Sequence, residues 1–227
     1  MLTIASRCWL CQQPLQLAQT GFCSLCLKNL PALPICCPRC GLPSASSLMS
    51  CGRCLNQPPP WQTMVFASDY NGPIGRLVQR MKFSSLPELA TPLSRLLLLR
   101  WLTRFRQGCV NRPDVLLSVP LHIQRYRQRG YNQSELLALP LARWLQCDYS
   151  ANALRRHRST PPQLGLGEKQ RKRNLRHAFS VDENLSGLHI ALLDDVITTG
   201  STLREITKVL LNQPIASIQV FSICRTL

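Results

Sequence analysis

Four Cys-x-x-Cys pairs fall within the first quarter of the chain, and no other feature restricts its folding as much. Cys8 and Cys11, Cys23 and Cys26, Cys37 and Cys40, and Cys51 and Cys54 form two successive sets of four with nearly the same internal spacing, which is an internal repeat. Two cysteines separated by two residues can place both sulfurs on one ion when the chain turns tightly, and two such turns complete a tetrahedral four-thiolate site. With every position filled by sulfur, none is left to activate water, so the expected metal is a structural zinc. Sequential pairing follows the repeat; an interleaved pairing, first with third and second with fourth, satisfies the same spacing. Cys36 adjoins Cys37, but the two-residue interval favours Cys37. Gly41 and Gly52, each directly after a cysteine of the second set, supply permissive backbone. Cys109, Cys147 and Cys224 have no partner at metal spacing and read as small core residues.

Zinc is preferred to disulfides because the chain reads as cytoplasmic, where thiols stay reduced. Met1 to Leu10 has no apolar core long enough for a secretory signal. The leucine run Leu96 to Leu99 is bracketed by Arg95 and Arg100 and falls short of the ~20 apolar residues of a membrane span. No integral membrane segment is expected. Charge points to the partners: 27 Lys and Arg against 11 Asp and Glu give a formal +16, which suits polyanions such as phosphates or nucleic acid.

Composition changes after Cys54. Asn56 to Pro60 reads as a stiff linker, which divides the chain into a double zinc-ribbon domain over 1–57 and a larger domain over 58–227. In the larger part, apolar runs at Thr63 to Ala67, Val115 to Pro120, Leu188 to Leu193 and Ile215 to Cys224 read as strands. They alternate with helical patterns at Ile74 to Phe83, Glu88 to Phe105, Ser134 to Leu145 and Ser201 to Leu211. Such alternation predicts an α/β fold, a mostly parallel sheet with helices on both faces. Arg155 to Arg176 is polar and strongly basic, and reads as a long functional loop.

The chemistry concentrates in Ile190-Ala-Leu-Leu-Asp-Asp-Val-Ile-Thr-Thr-Gly-Ser-Thr202. A buried strand here delivers Asp194 and Asp195, which can accept hydrogen bonds from two vicinal ribose hydroxyls and help hold a magnesium ion among substrate oxygens. Thr198, Thr199, Gly200, Ser201 and Thr202 then form a hydroxyl-rich turn at a helix N-terminus, where backbone N–H groups and the helix dipole favour a phosphate. Upstream, Arg125, Arg127 and Arg129 lie in a basic turn that leads through Gly130 into a helix, a second anion site with guanidinium groups suited to bidentate phosphate contacts.

The Ile190–Thr202 string resembles the phosphoribosyl-pyrophosphate (PRPP) signature of type I phosphoribosyltransferases along its whole length. With the cysteine knuckles, Tyr70 and Gly72, Lys82-Phe83, Val119-Pro120-Leu121, Arg129-Gly130-Tyr131-Asn132-Gln133, Thr160 and Gln163, Arg171 and Asn174, and Ala178-Phe179, the chain resembles the ComF/GntX family over nearly its entire length. Tyr131 departs from the phenylalanine usual in that family and keeps the aromatic face. The resemblance implies a type I phosphoribosyltransferase-like domain, with the strand-to-helix arginines on the pyrophosphate of PRPP; separately, the basic stretch Arg155 to Arg176 reads as a flexible lid, with Arg171 or Arg173 folding over the ligand. The resemblance also implies a cytoplasmic role in uptake or use of external DNA, in competence or nutrition, with DNA-uptake machinery among the partners. Single-stranded DNA is a credible polyanion for so basic a chain, with Tyr126, Tyr131 or Phe179 as stacking rings. A magnesium-dependent transferase of nucleobase salvage and a PRPP-sensing regulator fit the same motif, because an acid pair alone does not establish turnover.

Overall fold

Alternation along the apolar runs sends successive side chains to opposite faces of a strand, and here the two sets build two separate cores on one sheet. The computed structural model describes residues 6–16, 21–157 and 178–227. Its sheet is formed by β1 (Thr63–Asp69), β2 (Val115–Ser118), β3 (Asp148–Ser150), β6 (His189–Ile197) and β7 (Ser217–Arg225). The strand order is β1-β7-β6-β2-β3, and every neighbouring pair is parallel. A small antiparallel pair, β4 (Leu154–Arg156) and β5 (Phe179–Val181), lies apart from it.

On one face, Val65, Leu116, Ala191, Leu193 and Phe221 pack against α3 (Pro73–Phe83), α4 (Ala90–Arg106) and α6 (Gln133–Leu145). On the other, Met64, Leu117, Ile190, Leu192 and Val220 pack against Leu203, Ile206 and Leu210 of α7 (Ser201–Leu210). The sheet is therefore covered on both sides, as parallel sheets require. The two coverings also fix where a ligand can bind. The crossover after β6 runs through α7 on one face toward β7, whereas the crossover after β2 runs through α6 on the other face toward β3. β2 and β6 are neighbours, so their connections leave in opposite directions and open a crevice at their carboxyl ends, the usual ligand position in open α/β sheets.

The cysteine repeat is equally plain in the backbone. Bridges join Arg7 to Pro14 and Cys36 to Pro43, at equivalent positions of the two knuckles. Each third cysteine, Cys23 or Cys51, stands at the start of a short helix, α1 (Ser24–Lys28) or α2 (Gly52–Asn56). Gly41 has φ of 71° and Gln12 takes the same left-handed place in the first knuckle at 64°. Gly52 does not serve that purpose: it opens α2. The first knuckle packs Trp9, Leu10, Leu27 and Leu30 against the core beneath α3 and α4. The second lies on the opposite face, so tightly that a Cβ on Gly41 would come within 2.8 Å of Met64 Sδ.

Two expectations change. β6 does not stop before the acids: Asp194, Val196 and Ile197 remain paired with Ser222, Cys224 and Arg225, so the carboxylates sit inside the last turns of the ladder. The basic stretch after β2 is not a turn but a helix, α5 (Ile123–Arg129). His122 Nδ1 accepts the Gln124 N–H at its start, and Gly130, with φ of 78°, closes it. So short and exposed a helix has too little apolar periodicity to be read from sequence.

Candidate functional site

Position within β6 aims the two acids differently. Asp195 is buried, and its Oδ1 lies 2.8 Å from Lys82 Nζ at the end of α3. Asp194 accepts the Asp195 backbone N–H at 3.0 Å and a hydrogen bond from Ser134, in the first turn of α6. Desolvation first, and the negative charge of Asp195 second, push the Asp194 pKa up from its ordinary 3.8 to about 7, against the opposing pull of Lys82. The folded chain then keeps a proton that the unfolded chain releases, so this group's stabilising contribution is lost as pH rises from about 4 through 7. Urea unfolding at a series of pH values should show less loss over that window for Asp194→Asn than for the unaltered chain. An identical pH slope in the variant would refute the shift.

Beyond the acids the chain turns tightly into α7. Gly200 holds φ of 73°, a conformation that favours glycine, at the N-cap of α7. Thr199 Oγ1 lies 2.8 Å from Ser201 Oγ and also accepts the Ser201 N–H. A small cleft runs along Asp194, Val196, Ile197 and Thr198 to Leu203. Its floor combines the N–H groups of a helix N-terminus with hydroxyls, a chemistry suited to a phosphate beside the acids that suit sugar hydroxyls. Thr198, Thr199, Gly200, Ser201 and Thr202 are thus brought together with Asp194, as their order in the sequence predicts.

The three arginines of α5 separate. Arg125 and Arg129, four residues apart, share a helix face; Asp195 acts electrostatically on Arg129, while Asp194 and Arg125 both act on Arg156. Arg127 is exposed on the other side. Arg171, with Thr160, Gln163, Arg173 and Asn174, lies outside the described residues. Of the expected stacking rings, Tyr126 is 44% exposed, but Phe179 is buried under Arg156, and the Tyr131 hydroxyl donates to the Met81 carbonyl.

Sequence reasoning did not assign site roles to Lys82, Ser134, Trp61 or Arg225. Lys82 follows directly on the apolar positions Ile74, Leu77, Val78 and Met81, so it emerges at the margin of the buried stripe. Trp61, almost fully buried, donates its Nε1–H to the Arg39 carbonyl at 2.7 Å and lies against Gly200. Arg225 donates Nε–H to the Cys40 carbonyl at 3.1 Å and Nη1–H to the carbonyls of Ile197 and Thr198. The second knuckle is thereby tied to the Thr198–Thr202 turn at two points.

The cysteines resolve into the sequential pairing: Cys8, Cys11, Cys23 and Cys26 in one cluster, Cys37, Cys40, Cys51 and Cys54 in the other, with all sulfurs of a cluster within 4.8 Å of one another. A tetrahedron of Zn–S bonds of ~2.3 Å has S···S edges of ~3.8 Å. Cys11–Cys23 and Cys40–Cys51 are 3.7 Å apart and Cys37–Cys54 3.9 Å, so the donor set fits zinc. Burial raises the pKa of Cys8 and Cys37, but backbone N–H donors outweigh it and bring both down to about 6, while burial and neighbouring thiols raise Cys26 and Cys54. Cys36 stands outside, its thiol donating to the Pro34 carbonyl. Cys224 is a buried core residue as expected, whereas Cys109 is only partly buried and bonds the Gln107 carbonyl in the loop after α4.

No family model matches the chain. It is 46% identical over 227 residues to the DNA utilization protein YhgH of Escherichia coli K12, covering 100% of both chains. It is 38% identical over 222 residues to Competence protein F of Haemophilus influenzae, 96% of each chain. With Competence protein ComFC of Bacillus subtilis it shares 26% over 209 residues, 84% of this chain and 78% of that one. Among solved structures, the glutamine PRPP amidotransferase of B. subtilis complexed with ADP and GMP aligns with TM-score 0.35 at 20% identity, covering 52% of this chain and 23% of that chain. The purine phosphoribosyltransferase of Pyrococcus horikoshii aligns with TM-score 0.34 at 15% identity, over 72% and 88%. Among the described residues no helix is long and apolar enough to cross a membrane.

Proposed function

The chain belongs to the ComF family, and from that premise we propose that it serves the uptake or use of external DNA through a site that binds PRPP or a nucleotide. One observation carries the ligand assignment: Asp194 opens the same cleft that the Thr198–Thr202 turn closes, at the switch point between β2 and β6. In this reading the carboxylates accept the vicinal hydroxyls of the ribose. The N–H groups at the start of α7, with the hydroxyls of Thr199 and Ser201, hold the 5′-phosphate. Arg125 and Arg129 neutralise a pyrophosphate on the far side of the sugar. Magnesium, if bound, would be held by Asp194 and Asp195 and would supply positive charge to offset that of the pyrophosphate. Lys82 supplies it in the free protein, keeping Asp195 paired until a ligand arrives.

The role in DNA handling rests on the names of the relatives and on the formal charge of +16, which favours a phosphate backbone. Single-stranded DNA is the form whose bases an exposed ring such as Tyr126 can reach. A transferase reading draws on the place of Asp194 at the cleft beside Asp195, where burial and the neighbouring charge raise its pKa toward the range in which a carboxyl can transfer protons near neutrality.

Calorimetric titration of the zinc-loaded protein with PRPP and magnesium tests the assignment. We expect saturable binding that Asp195→Asn weakens by roughly tenfold or more, the loss of a charge-assisted hydrogen bond of ~1.5–3 kcal/mol, with zinc content unchanged. Undiminished affinity in the variant would remove Asp195 from the site. Pyrophosphate release on adding nucleobases to the same preparation would mark a transferase.

A further inference from the structure

Phe83 is 74% exposed, the most exposed of the large apolar side chains among the described residues. Its position is fixed. It is the last residue of α3, and the two residues before it anchor the helix end: the Tyr131 hydroxyl donates to the Met81 carbonyl at 2.5 Å, and Lys82 reaches Asp195. The Arg129 guanidinium stands over one face of the ring, 5.3 Å from its centroid, and is held there by a hydrogen bond to Gln133 Oε1 at 3.1 Å. The same guanidinium feels the charge of Asp195. One ring face is thus occupied by a cation and the ring is otherwise largely open to water, on the helix end whose Lys82 pairs with Asp195.

Solvent exposure of a phenyl ring on an ordered helix end forfeits the burial that normally accounts for phenylalanine. A planar π-system recovers it: stacking on the open face buries both surfaces and leaves the cation–π contact behind the ring intact. We propose that Phe83 and Arg129 form a nucleobase platform, which takes the base of a nucleotide whose sugar and phosphate occupy Asp194, Asp195 and the Thr198–Thr202 turn. The proposal rests on the ligand assignment above and extends it from the sugar phosphate to the base. The cations beside the ring, Lys82 and Arg129, favour an anionic nucleotide over an uncharged aromatic.

The experiment compares a ligand with a base and one without. Calorimetry on the full zinc-loaded chain would use a nucleoside 5′-monophosphate, PRPP and a thymidine oligonucleotide, each with the unaltered protein, Phe83→Leu and Phe83→Trp. Base stacking on an aromatic side chain predicts a loss of roughly 5- to 150-fold for the monophosphate in Phe83→Leu, recovery in Phe83→Trp, and PRPP affinity unchanged in both. A parallel loss for the oligonucleotide would identify a base within a strand as a second source of the same chemistry. Equal losses for PRPP and monophosphate, no loss for either, or a loss for the oligonucleotide alone would overturn the platform while leaving the sugar-phosphate site standing. Binding of neither small ligand to the unaltered protein would instead overturn the site itself, and the platform with it.

Discussion

A Cys40→Ser chain should bind one zinc ion and the unaltered chain two, because Cys40 is one of the four sulfurs of the second cluster. Elemental analysis of the purified protein reads this directly. The expected loss of stability is large, roughly 4 kcal/mol or more, since a structural metal site is among the few features whose removal exceeds the usual effect of a point substitution. A serine hydroxyl does not replace the thiolate: it is a harder and much less acidic donor, and the neighbouring thiols would take up protons in place of the metal. The effect should spread from the cluster. The Cys40 carbonyl accepts from Arg225, which also holds Ile197 and Thr198, and the Arg39 carbonyl accepts from Trp61, which lies against Gly200. PRPP affinity should therefore fall with the zinc. Cys11→Ser in the first cluster provides the control. That knuckle packs over α3 and α4 on the opposite face, so this variant should also lose one of two zinc ions but keep most of its PRPP affinity. Two zinc ions retained in Cys40→Ser, or equal ligand losses in the two variants, would contradict the account.

How much of this was legible in advance depended on the range of the interaction involved. The sheet could be read because each strand announces itself locally, as in Val115 to Ser118, where three consecutive apolar residues and the serine after them are all buried. The clusters could be read because thiolate geometry demands a two-residue spacing, although only the fold chose sequential over interleaved pairing. The cleft motif could be read because acids, turn and helix start are contiguous in sequence. What stayed hidden depends on contacts between distant segments. Lys82 meets Asp195 across more than a hundred residues, and Arg225 meets Cys40 across 185. Neither pairing leaves a periodicity. The α5 arginines show an intermediate case: a run of three guanidinium groups is visible in sequence, but only the helix turns Arg125 and Arg129 inward together and Arg127 away.

Arg225→Met should destabilise the chain by roughly 3–5 kcal/mol, the loss expected when the charged partner of a buried polar cluster is removed. Arg225 is 5% exposed, and its guanidinium donates to the carbonyls of Cys40, Ile197, Thr198 and Thr226. Burial depresses its pKa, with the thiols of Cys40 and Cys36 pulling the other way. A zinc ion held by four thiolates carries a net negative charge, which would strengthen that pull, so the arginine and the metal cluster support each other. Methionine fills similar space but supplies no donor: the buried Cys40 carbonyl loses its Arg225 partner, and Ile197 keeps only the Thr226 N–H. Arg225→Lys retains the charge without the planar fork: a single ammonium cannot reach Cys40 on one side and Ile197 and Thr198 on the other. Lysine should therefore recover part of the stability, measured by urea unfolding, but little of the PRPP affinity, because the Thr198–Thr202 turn would keep only the Trp61 contact as its link to the knuckle. Were Arg225 merely a filler of the strand end, both variants would unfold within about 1 kcal/mol of the unaltered chain and bind ligand equally well. If it is the strut between metal cluster and cleft, stability and affinity should part company in the lysine variant.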